Sequence, residues 1–108
     1  KRVLEAVNHP NVKAALDTCA MGVANETIEE WFRVLGSDIR HMHFIDGRPY
    51  GHLVWGEGLH PLDDFIQTLN DNHYEGYLGQ ELTVWDYMFD PAAVDKKNML
   101  AYEPFFIN

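Results

Sequence analysis

The strongest limit on what this chain can fold into is a regular alternation. Three short apolar runs, residues 12–17, 39–46 and 76–83, alternate with stretches of helical periodicity. Val3, Leu4 and Val7 share one helix face, and Asn8-His9-Pro10 stops that segment. Residues 22–25 read as a loop. In residues 26–35, Ile28, Trp31, Phe32 and Leu35 fall at i, i+3, i+4 and i+7, and Gly36 follows as a C-cap. Pro61 suits a helix start, and Leu62, Phe65, Ile66 and Leu69 continue one apolar face. A closing helix over 91–105 places Val94, Asn98, Ala101 and Phe105 on one side. The order is αβαβαβα. Strands alternating with helices imply an α/β fold with a parallel sheet and right-handed crossovers.

In parallel α/β sheets the working residues gather at the C-terminal ends of the strands. That rule points to Asp17, to the stretch from His43 to Asp46, and to Glu81. Two carboxylates and an imidazole form an oxygen-rich donor set that suits Mn, Mg, Co or Zn better than a thiolate-seeking ion. Taken singly, Asp17 also reads as a turn or helix cap and His43 as a satisfied core histidine. Glu81 is the harder one to dismiss, because it falls in the apolar run Tyr77-Leu78-Gly79-Gln80-Glu81-Leu82, where a buried carboxylate is costly without a partner. His41 and His43 share a strand face, and His43 lies nearer the strand's C-terminal end.

Residues 47–58 hold four glycines and a proline and read as a long loop. Within it, Arg48 and His52 are expected to hydrogen-bond substrate hydroxyls and Trp55 to shield the site. The plainer alternative is an exposed polar loop with one anchoring tryptophan. Asp46 is read as orienting the histidine ring, or as a strand-end cap. Glu57, between two glycines, reads as a loop-holding group. Cys19 reads as a small buried hydrophobe near the site.

Composition excludes several classes. The chain has 108 residues and is 46% apolar, which is globular and not disordered. No apolar run approaches the length of a membrane helix. A net charge of −9 argues against a phosphate-backbone partner. A single cysteine allows no internal disulfide, and with the acidic charge it points to the cytoplasm. The chain opens Lys1-Arg2 with no leader pattern, and its first residues read as the end of a helix. A piece of a longer protein is therefore expected.

The segments ALDTCAMG, RHMHFIDG, HLVWGEG and GYLGQELT resemble the C-terminal part of the xylose-isomerase-like (β/α)8 TIM barrels. Within that superfamily the sugar phosphate isomerases and epimerases are the nearest, with the fructoselysine 3-epimerase type closest in look. The resemblance spans residues 1–108 as one partial domain of about three parallel strands with flanking helices. It implies a divalent metal held by a Glu, an Asp, a His and a Glu, of which Asp17, His43 and Glu81 fall on the last three positions. It also implies that Glu81 is one of two glutamates that move a proton through an enediolate, on a ketose or ketose derivative. The other glutamate belongs to an earlier strand, so the isolated chain is expected to show no appreciable turnover. Ketose 3-epimerases commonly carry a substrate histidine where Ala20 stands, which leaves a simple ketose in doubt. Ala20 and Tyr50 also replace zinc ligands of the related endonuclease IV type, which weighs against a nuclease. A non-catalytic truncated α/β module is the other alternative. Three strands alone leave two open edges, so self-association is expected.

Overall fold

The structure is a computed structural model and describes residues 1–106. Its elements are α1 (Arg2–Val7), β1 (Ala14–Asp17), α2 (Thr18–Val23), α3 (Ile28–Leu35), β2 (Ile39–His43), α4 (Leu62–Asp71), β3 (Tyr77–Gly79) and α5 (Pro91–Tyr102). Short 3-10 turns occupy Gly36–Asp38, Trp85–Phe89 and Glu103–Phe105. The strands form one parallel sheet in the order β1-β2-β3. The expected alternation is present, with helices between successive parallel strands.

Local chemistry explains most boundaries. The α3 start is a capping box: the Thr27 side chain accepts the Glu30 N–H, and the Glu30 carboxylate accepts the Thr27 N–H. Asn8 closes α1 in a left-handed conformation, and the Asp90 side chain caps α5 ahead of Pro91. The α2 helix was not expected. TCAMGV carries no helical stripe of its own, and the helix starts because the Asp17 carboxylate accepts the Ala20 N–H at 2.7 Å. All three strands are shorter than their apolar runs, since β1 begins at Ala14, β2 stops at His43 and β3 at Gly79. The last helix stops at Tyr102, short of 105.

Register aligns the strand ends. Asp17 pairs with His43, and His43 pairs with Gly79, so the C-terminal ends of all three strands lie at one level. Between Ala14 and Ala15 the pairing jumps from Ile39 to His41, so β2 carries one extra residue. This slip breaks strict alternation and lets Ile39 and Met42, three positions apart, both be buried. Leu16 and Met42 join Ile28, Phe32, Phe65, Ile66 and Leu69 from α3 and α4 in one core on the helix side of the sheet. His41 and His43 are only partly buried, with their rings edge to face at 5.2 Å between centroids.

Candidate metal centre

The site sits where the aligned strand ends deliver their side chains. The Nδ1 atom of His43 lies 3.0 Å from Asp17 Oδ2 and 2.9 Å from Glu81 Oε2. One ring nitrogen carries at most one proton, so it cannot donate good hydrogen bonds to both carboxylates. Three donor atoms facing a common point are what a divalent cation needs, and the Asp17, His43 and Glu81 ligand atoms all lie within 4.8 Å of one another. Among the described residues no lysine or arginine forms an ion pair with either carboxylate. The donor set therefore fits a hard or borderline divalent ion.

Each ligand has a local anchor. Asp17 ends β1 and caps α2 through its other oxygen. Burial pushes its carboxyl up, but the Ala20 N–H, the His43 ring and the nearby His52 and His43 charges outweigh this and hold it below the ordinary aspartate value. Thr18 is fully buried. Its hydroxyl donates to the Ile45 carbonyl at 2.6 Å and accepts the Ile45 N–H at 3.1 Å, stitching the start of α2 to the segment after His43. Glu81 stands two residues beyond β3, and its side chain is 44% exposed. The expectation that burial makes Glu81 costly is thus corrected: the strand stops at Gly79, and its carboxylate reaches the site from an open segment. That segment is steadied by its neighbour Gln80, whose side-chain oxygen accepts from buried Asn98 of α5 at 2.8 Å.

The loop over 47–58 folds back on the strand ends. His52 Nδ1 lies 3.0 Å from the Glu81 carbonyl oxygen and 3.2 Å from Glu81 Oε2, which puts His52 beside the triad. Arg48 is not brought there. It is exposed, and its Nε donates to the Glu57 carbonyl at 2.6 Å, across the loop. The Glu57 carboxylate takes Lys97 Nζ and the Tyr87 hydroxyl. The Lys97 contact first, then Tyr87, holds this carboxyl below the usual glutamate value.

Of the two tasks expected of Asp46, it does not orient the His43 ring; it caps backbone after the strand end, and across the loop as well. It is 1% exposed, and its carboxylate accepts backbone N–H groups of Gly47, Gly56, Gly58 and His60 at 2.7–3.0 Å. None of its hydrogen bonds reaches the His43 ring, which instead faces Asp17 and Glu81. Its backbone also bridges Leu53 in antiparallel fashion. Asp46 therefore organises the loop. Gly58 is obligatory there, because a Cβ would lie 2.2 Å from Asp46 Oδ1. Trp55 likewise does not shield the site. It is 5% exposed, packs on Phe44 and Phe65, and donates from its indole nitrogen to the Phe44 carbonyl.

Sequence reasoning overlooked Thr18, Gln80 and Asn98. For Asn98 a signal existed, a polar residue on the apolar face of its helix. Thr18 and Gln80 gave none.

Parallel strands, helices between them and a polar cluster at the strand ends define a segment of an α/β barrel with a candidate metal site. Comparison with known proteins agrees on the fold. The family model described as xylose isomerase-like TIM barrel matches residues 1–100, and the chain belongs to that family. The chain is 36% identical over 90 residues to fructoselysine 3-epimerase of Escherichia coli O157:H7, covering 82% of this chain and 32% of that protein. The fructoselysine 3-epimerase of Shigella flexneri matches to the same extent. The chain thus spans about a third of the length of the curated relatives it matches. No solved structure matches it.

Proposed function

We propose that this chain forms the metal-holding end of a sugar isomerase or epimerase acting on a ketose or ketose derivative, with Asp17, His43 and Glu81 as the ligands. The observation that carries this is the convergence of two carboxylates on one imidazole nitrogen at the level of the strand ends. The fructoselysine 3-epimerase relatives support the substrate class. Asp17, His43 and Glu81 would hold a divalent ion, Mn, Mg, Co or Zn, which would supply Lewis-acid polarisation of a carbonyl and its neighbouring hydroxyl. Glu81, half exposed beside that position, takes the proton from the carbon next to the carbonyl, and the electron pair moves onto the carbonyl oxygen to give an enediolate. Return of a proton to the opposite face inverts the centre, a step assigned to a second glutamate on a strand beyond these three. His52, next to Glu81, orients a substrate hydroxyl. Arg48 fills a similar role only by leaving the Glu57 carbonyl.

Solvent exchange tests this. A longer protein that includes these residues, incubated with Mn2+ and fructoselysine in deuterated water, is expected to place deuterium at carbon 3. Glu81→Gln should cut that exchange by at least about a hundredfold, the low end of what one general acid/base contributes. Exchange unchanged in Glu81→Gln would overturn the assignment. The 108-residue chain alone is expected to show no ordinary turnover.

A further inference from the structure

Beside the triad, and sharing Asp17 with it, lies a second group of donors of different character. A carboxylate oxygen of Asp17, the thiol sulfur of Cys19 and a ring nitrogen of His52 all lie within 4.8 Å of one another. They line an open depression of about 530 Å3, together with Ala20, Tyr50 and Thr83. We propose that this depression is a binding site for a thiophilic divalent cation of the zinc, cobalt or cadmium kind, held by Cys19, His52 and Asp17. The proposal rests on Cys19 and His52 and does not require the sugar chemistry.

Three observations carry it. The donor set is sulfur, nitrogen and oxygen, which suits borderline-soft cations and disfavours Mg or Mn. Cys19 is 4% exposed, and its sulfur accepts the Gly51 N–H at 3.3 Å, so the backbone fixes the sulfur's position at the depression. His52 is a non-glycine residue at φ 49, held there while Nδ1 contacts the Glu81 carbonyl. A carbonyl can only accept, so Nδ1 is the donor there, and Nε2 is the nitrogen left to meet a cation. A histidine donating one N–H to a backbone carbonyl is the usual setting of a metal ligand. Binding forms a metal–sulfur bond and releases the thiol proton to solvent, with no redox change. Because Asp17 and His52 also serve the neighbouring site, occupancy by a thiophilic ion draws on both and inhibits the sugar chemistry.

Cobalt reports on the site without an activity assay. Co2+ is titrated into this chain under a phosphine reductant, and the near-ultraviolet thiolate-to-cobalt charge-transfer band is followed. The band is expected to appear, to vanish in Cys19→Ser, and to persist in His43→Ala, which removes a ligand of the triad but none of the three proposed here. In His52→Ala the cobalt concentration needed for half-saturation of the band should rise at least about tenfold. Far-ultraviolet circular dichroism checks each variant. If Cys19→Ser fails to fold, His52→Ala decides alone, since His52 lies on a partly exposed loop. Cobalt binding without the band, no cobalt binding at all, or a His52→Ala titration identical to that of the unaltered chain would each overturn the proposal.

Discussion

At the scale of single residues, His60 shows what burial does to an imidazole. Its Nε2 is buried with no hydrogen-bond partner, and its ring stacks on Phe65 at 5.4 Å. Burial lowers its imidazole below the ordinary value of 6.5, and the charge of Asp46 and the Pro49 backbone carbonyl offset this only in part. An unfolded chain therefore binds the proton more readily than the folded one. The stabilising contribution of neutral His60 is complete above about pH 6.5 and is lost as the pH falls from there to the folded value. The urea midpoint should drop between about pH 7.5 and about pH 5.5, and His60→Gln should flatten part of that drop. A variant with the same pH slope as the unaltered chain would contradict this. Nothing in the sequence marked His60, because its burial comes from the loop packing around Pro49 and not from any local pattern. The place of Asp17 was legible for the opposite reason: its apolar run and its strand end at the same residue, whereas β2 stops at His43, short of the run to 46. Glu81 was legible by position and misread by environment, because an apolar run does not reveal where its hydrogen bonds stop.

At the scale of elements, the loop over 47–58 is the part the sequence described least well. Its length and glycine content were plain, but its internal wiring through one buried carboxylate was not. An aspartate after a strand looks alike whether it caps, orients a ring or gathers four amides. Asp46→Asn keeps the shape but replaces one accepting oxygen with a donor, so loop N–H groups lose their partner. The cost should be about 3 kcal/mol in unfolding free energy, from urea denaturation, with His52 resonances shifting as the loop loosens. A change under about 0.5 kcal/mol would show that the amides find other partners. The helices α3 and α4 were legible because their apolar stripes are regular. The six-residue α2 was not, because its start depends on a cap supplied by Asp17, a residue already assigned to chemistry.

At the scale of the molecule, the three-stranded sheet has β1 and β3 as open edges, and the side that carries His41 and His43 is only partly covered. Large apolar side chains are also exposed, among them Tyr77, Trp85 and Phe89, each at least 80% accessible. Edges and patches of this kind associate. Light scattering on the purified chain should give a mass above 12.5 kDa that rises with concentration, and a clean monomer throughout would contradict the expectation. The alternation of strands and helices made the fold class readable, because it follows from local periodicity. The central claim is that Asp17, His43 and Glu81 hold a divalent cation, and Mn2+ tests it most directly because it avoids the thiol of Cys19. Calorimetric titration should show one Mn2+ bound per chain, with affinity weakened at least about tenfold in His43→Ala. No binding, or binding indifferent to that substitution, would contradict the claim.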